Sequence, residues 1–236
     1  MTDLAALSYH LDGDVAILTL DDGKANAVSP ALLEALNGAL DRARDEARAV
    51  VLAGRPGKFS AGFDLSVMTR STEAMRDLVQ SGAELLLRWY EYDLPTVAAC
   101  TGHALAAGAL LLLTTDVRIG SDSPAKIGLN EVAIGMPLPI FAVEFARDRL
   151  TKKTFTQATM GACVFSPEEA AVAGYLDRVV PADTVLDEAV AEARRLATLS
   201  TGAYARTKHA ARQATIDHVR ATLADDMAKL TGPTPP

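Results

Sequence analysis

Two short stretches carry residues suited to chemistry on a carbonyl group. Residues 58–67 read KFSAGFDLSV, directly after the apolar run AVVLAG at 49–54. Residues 103–108 read HALAAG, directly after TVAACTG at 96–102. At each junction a strand ends, a helix is about to begin, and the chain uses Ala and Gly. Side chains this small do no chemistry themselves, but they let a ligand approach the backbone closely. Uncommitted N–H groups at a helix start point outward and carry partial positive charge. Two of them aimed at one point form an oxyanion hole, which stabilises charge developing on a carbonyl oxygen. Either turn alone reads as an ordinary strand-to-loop turn.

Other chemistries find no support in the residues. The chain has no GxxxxGK[ST] loop, no GxGxxG after the first strand, no HExxH and no GxSxG. His10, His103, His209 and His218 are scattered, and only His103 falls in one of the two small-residue turns. Cys100 and Cys163 offer neither metal spacing nor a disulfide framework, and are expected to be buried thiols in a reducing compartment. No metal site is expected.

The elements that must position these turns are legible in outline. Of 236 residues, 49% are hydrophobic and 22% charged, which fits a soluble globular protein with a real core. A net charge of −7 argues against general nucleic-acid binding, which depends on neutralising phosphates. It leaves room for an anionic small ligand held by a local lysine or a helix N-terminus. The N-terminus shows no signal peptide, and ALAAGALLLL at 104–113 is too short to span a bilayer. A cytoplasmic protein with no membrane partner is expected.

Residues 7–20 read as a hairpin turning at Asp12-Gly13. Ser29 and Pro30 start an amphipathic helix over 30–47. AVVLAG is a buried strand, 71–92 a helix, 94–100 a strand, and the apolar run after Gly102 a helix. Strand character returns in 116–128, followed by the loop NEVAIGMPLP, helices over 139–149, 151–160 and 166–174, and a strand in DRVVP. From Asp183 onward the chain is helical, ending in TGPTPP, which has the composition of a disordered tail. This order gives an α/β layered core over 1–182 and a C-terminal helical region over 183–236.

With these motifs in place, the chain resembles the crotonase (enoyl-CoA hydratase/isomerase) superfamily. NAVSPALLEAL, VVLAGRPGKFSAGFDL, LPTVAACTGHALAAGALLLLTTDVRIG, GLNEVAIGMPLP and SPEEAAVAGYLDRVVP carry the resemblance in this order, over nearly the whole chain. It implies a ββα spiral core with a C-terminal helical trimerisation region, an acyl-CoA thioester substrate in fatty-acid metabolism, and a homotrimer or hexamer. No cofactor is implied, since coenzyme A is part of the substrate. By the resemblance, Ala61 and Ala107 supply the two oxyanion amides. Ala106 and Ala107 stand where many relatives have Gly, and a backbone donor tolerates Ala if its φ stays negative. Gly62, Phe63, Asp64 and Leu65 are expected along the CoA moiety, with Lys24 and Ala25 near its adenine.

The resemblance also points to the reaction. Hydration in this family normally uses two glutamates. The position of the first is Leu110 here, and the second is present as Glu131 in GLNEVAIG. Adding water across C2=C3 needs a base for the water and a proton for C2, whereas moving a double bond from C3 to C2 needs one base. Single-glutamate isomerisation, resembling the Δ3,Δ2-enoyl-CoA isomerase branch, is therefore favoured. The alternatives are a weak hydratase and a non-catalytic acyl-CoA-binding protein. Glu144 is expected to be structural or salt-bridged, and Asp64 to cap or orient the CoA loop.

Overall fold

The computed structural model describes residues 6–232. It opens with the hairpin of β1 (Leu7–Asp12) and β2 (Val15–Leu20). The register pairs Asp12 with Val15, so the loop is Gly13-Asp14, one residue later than the sequence suggested. The reason is conformational: Gly13 takes a φ of 60°, which the first central position of a primed hairpin turn requires.

A six-stranded sheet continues through β3 (Ala49–Gly54), β5 (Thr96–Cys100), β7 (Val117–Ser121) and β9 (Arg178–Val180). All pairs after the hairpin are parallel. Both faces are buried, as parallel sheets require, and the period of two sorts the side chains. Leu18, Leu20, Val50, Leu52, Ala98 and Cys100 join one core cluster, shared with the helices α1 (Pro30–Glu46), α3 (Thr72–Tyr90) and α4 (Ala107–Thr114). Val15, Val51, Ala53, Val97, Ala99 and Ile119 join a second cluster, shared with α8 (Val185–Ala197). Every residue of α4 is buried, so the ALLLL run is a central helix with no polar face.

Three short strands form a second parallel sheet in the order β4 (Gly57–Ser60), β6 (Gly102–Leu105) and β8 (Ile127–Gly128). Sequence periodicity is too short to reveal these pieces, and Gly102 reads there as a turn. They matter for the site, because the chain leaves β4, β6 and β8 directly into its three key segments.

The remaining helices are α2 (Leu65–Met68), α5 (Ile140–Arg149), α6 (Phe155–Ala158), α7 (Pro167–Ala173) and α9 (Thr201–Lys229). Helices α8 and α9 occupy most of residues 185–229, as expected, and both pack against the core. Helix α8 closes the second face of the main sheet through Val185, Ala189, Val190 and Ala193. Helix α9 crosses to pack on α3 and α5. Its anchor is Asp116, which meets Lys208 at 2.6 Å, Arg212 at 2.9 Å and the Tyr204 hydroxyl at 2.9 Å. Among the described residues no helix is long and apolar enough to cross a membrane. The last four residues of TGPTPP lie outside the described residues.

Candidate active site

The first small-residue turn is pinned from behind. Asn26, buried at a φ of 53°, donates from its amide to the carbonyls of Leu20, Lys58 and Phe59. Ser60 Oγ donates back to the Asn26 carbonyl at 2.7 Å. Asn tolerates this left-handed conformation better than most residues. Asp22 holds the same loop by accepting the N–H groups of Lys24, Asn26 and Ala27. The Arg55 guanidinium donates to the Lys24 carbonyl.

This frame decides which amide of the turn is free, and it is not the one assigned from sequence. The Ala61 N–H donates to the Ala25 carbonyl at 3.0 Å, so it is already committed. Gly62 donates to Ser60 Oγ and Asp64 to the Val28 carbonyl, while the N–H of Phe63 makes no hydrogen bond. The cause is the parallel bridge between Val28 and Phe63. It uses the groups on either side of Phe63 and turns the Phe63 amide the other way. The available donor is therefore Phe63. Amides two residues apart face the same way only where the intervening backbone is extended. Gly62, at a φ of 96°, breaks that alternation.

In the second turn the unpaired amide is that of Ala107. Ala106 donates to the Gly128 carbonyl at 3.0 Å, and helix α4 starts one residue later. The Ala107 N–H is thus the first orphan donor of a buried helix, and it has no partner. Its φ is negative, whereas Ala106 sits at φ 50° and ψ −123°, a region normally left to glycine. The two turns touch: a Cβ at Gly62 would stand 2.8 Å from Ala106 Cβ and 3.3 Å from Ala107 N. The absence of that Cβ keeps room at the Ala107 amide. The Phe63 ring lies against Gly82 of α3, where a Cβ would come within 2.4 Å of it.

Glu131 follows the short strand β8. Leu129 is fully buried and anchors the segment, and the Glu131 carbonyl accepts the N–H groups of Ile134 and Met136 in a 3-10 turn over Val132–Ile134. Its Oε2 is buried without a partner. Burial pushes the carboxyl up to about 7, although the backbone N–H groups of Glu131 and Asn130 pull it down.

A cavity of about 220 Å³ joins the first turn to Glu131 and borders the second turn at Ala106, the neighbour of Ala107. Ala61, Phe63, Ala106, Leu110, Asn130 and Glu131 line it, and Met136, Phe141 and Leu230 extend its apolar wall. Glu131 is the single titratable residue among the lining residues. Leu110, 2% exposed, contributes a hydrocarbon surface to the same cavity. Leu65, 69% exposed, lines it from the surface side. Lys24 is exposed, and Ala25 is beside Ala61 through the bond already described.

The other candidates have structural roles. Asp64 caps α2 by accepting from the N–H and hydroxyl of Ser66. Glu144 pairs with Arg147 at 3.3 Å and is not among the cavity residues. His103 accepts the Lys126 N–H on Nδ1 at 2.9 Å, which ties β6 to the approach to β8. Burial, helped by Lys58 and Lys126, lowers its pKa. Cys100 is buried as expected and pushed up to about 12, but Cys163 is exposed because it follows the loop after α6. No group of metal-ligating side chains occurs among the described residues. Asn26 is the functional scaffold residue that residue types alone did not single out.

This arrangement has relatives. The chain is 32% identical over 206 residues to human mitochondrial enoyl-CoA delta isomerase 1, covering 85% of this chain and 68% of that protein. It is 35% identical over 192 residues to a putative enoyl-CoA hydratase of Thermus thermophilus, covering 78% and 75%. An enoyl-CoA hydratase/isomerase family protein from Pseudomonas syringae superposes with a TM-score of 0.94 at 43% identity, covering 96% of this chain and 98% of that one. Both named activities thus occur among the relatives. Residues 11–233 match the enoyl-CoA hydratase/isomerase family as a whole, and the chain, with its parallel core and two adjoining amide turns, is a member of that family.

Proposed function

We propose that this protein converts 3-enoyl-CoA thioesters into 2-enoyl-CoA thioesters, with Glu131 as the single proton carrier. One observation carries the reading: Glu131 is the single titratable residue lining the cavity, and Leu110 stands where a second carboxylate would serve hydration. The Glu131 carboxylate takes a proton from C2 of the substrate. The electron pair left on C2 delocalises into the thioester carbonyl and the C3=C4 bond. The Phe63 and Ala107 N–H groups hold the resulting oxyanion. Protonated Glu131 then delivers the proton to C4, the C2=C3 bond forms and the carbonyl is restored.

A carboxyl poised at about 7 suits this exchange, because it accepts and returns a proton with little bias near neutral pH. Lys24, Ala25, Gly62, Asp64 and Leu65 then border the CoA moiety, with the exposed Lys24 ammonium within reach of its phosphates. The same reading carries a homotrimer or a pair of trimers, which light scattering of the purified protein tests. The chemical assignment is tested with Glu131→Gln. Conversion of a 3-enoyl-CoA should fall by about 10²–10⁴-fold, the usual worth of a general acid–base group. An undiminished rate removes Glu131 from the mechanism.

A further inference from the structure

The wall of the cavity differs from side to side. Leu65, at 69% exposure, and Ile134, at 48%, mark its open side. Val79, Phe141, Ala142 and Leu230, none more than 5% exposed, mark its closed side. A thioester held at Glu131 and the amide turns leaves its hydrophilic CoA moiety at the open side. Its acyl chain then runs toward the closed side, where the lining is hydrocarbon throughout.

Three helices assemble that closed side, and the end of α9 completes it. Helix α9 stops at Lys229, and Leu230 leaves it with extended backbone, at a φ of −61° and a ψ of 127°. Two hydrogen bonds fix this end of the helix. Arg76 of α3 donates from Nε to the Leu230 carbonyl at 2.9 Å. Asp226 Oδ2 accepts the N–H of Ile140, the first residue of α5, at 2.6 Å. Pro139 gives α5 no side-chain cap, so Asp226 supplies an acceptor that this helix start lacks. Leu230 is thereby brought to the same cavity as Val79 of α3 and Phe141 of α5.

We propose that Leu230 limits the length of the acyl chain, and that the protein takes acyl groups of medium length. The volume sets the limit. A closed cavity of about 150 Å³ accepts benzene, so one of about 220 Å³ takes on the order of nine carbon-sized atoms. The thioester group uses three of them, which leaves about six for the rest of the chain. Chains longer than about eight carbons meet Leu230 and gain no further burial while the end of α9 stays in place. The inference rests on the acyl-CoA reading proposed above, but not on the role of Glu131.

Titration calorimetry with saturated acyl-CoAs, from butanoyl- to hexadecanoyl-CoA, reads the limit without turnover, since these ligands have no double bond to move or hydrate. In the wild type, affinity should rise about fourfold per added methylene, the worth of burying one, and level off near octanoyl-CoA. In Leu230→Ala the rise should continue past octanoyl-CoA. The ratio of dodecanoyl- to hexanoyl-CoA affinity should then grow by about tenfold or more. A merely structural loss would weaken all chain lengths alike and leave that ratio unchanged. Leu230→Phe adds volume instead and should move the plateau to shorter chains, which keeps the test decisive if the alanine variant does not fold. A plateau unmoved by either substitution, or a wild-type affinity that climbs all the way to hexadecanoyl-CoA, overturns the chain-length role and leaves the proposed reaction standing. Failure to bind at any chain length removes the acyl-CoA reading, and this inference with it.

Discussion

Leu110 and Glu131 line one cavity from two different elements, the first turn of α4 and the segment after β8, and of the pair only Glu131 can carry a proton. One acid–base group in an apolar enclosure has consequences for stability as well as for rate.

Burial raises the Glu131 carboxyl from 4.5 to about 7. Because the folded value exceeds the unfolded one, its contribution to stability is fully present below 4.5 and lost as pH rises through about 7. At about 1.4 kcal/mol per pKa unit, ionised Glu131 costs the fold on the order of 3 kcal/mol, less whatever residual solvent contact screens. Glu131→Gln should therefore melt at a higher temperature than wild type at pH 8, with the difference vanishing near pH 4. Equal melting temperatures at pH 8 would show that the carboxylate is better solvated than its burial implies. In the wild type, kcat/KM should fall about tenfold per pH unit below the same midpoint.

Gly62 keeps the space between the two amide turns. An Ala there would need a φ of 96° and would press a methyl against Ala106 Cβ and the Ala107 N–H. Gly62→Ala should fold and lose about 10²-fold in kcat, the scale of one lost oxyanion donor. Full activity in that variant would place the oxyanion elsewhere.

Ala106 occupies backbone space that favours glycine, and such residues cost about 1–3 kcal/mol each. Ala106→Gly should relieve that strain, offset partly by the added freedom of the unfolded chain. A net gain of about 1 kcal/mol corresponds to a rise of about 2–4 °C in Tm for a chain of this size. Calorimetry decides the sign, and a drop in Tm would mean that the Ala106 methyl packs better than its torsion suggests.

Asp116 anchors α9 from the start of β7. Burial pushes its pKa up, but Lys208 and Arg212 outweigh burial and hold the carboxyl below 3.8. This stability is present at neutral pH and lost as acidification passes through the lowered value. Asp116→Asn leaves Lys208 and Arg212 buried without their counter-charge and should cost about 3–5 kcal/mol in urea unfolding. A loss below about 1 kcal/mol would mean that the carbonyls of Tyr92, Leu94 and Tyr90 satisfy both cations unaided.

The layered core was legible in the chain because its period-2 strands and capped helices each bury a long apolar pattern. The second sheet was not, since β4 and β6 are four residues long and β8 two. That omission had a cost at the site. The motif residues at 61–64 and 103–108 were found from their small side chains. Which amide was free depended on the bridge from Val28 to Phe63, and no local pattern encodes that. Glu131 and Leu110 were visible as residue types, and their meeting in one cavity needed the fold.

The most direct measurement compares two substrates on one preparation of the wild-type protein: a 3-enoyl-CoA followed to its 2-enoyl isomer, and a 2-enoyl-CoA followed to its 3-hydroxy product. The single-carboxylate account expects the first conversion to outrun the second by at least about 10²-fold, the lower bound for one general acid–base group. Hydration as fast as isomerisation, or faster, would contradict it.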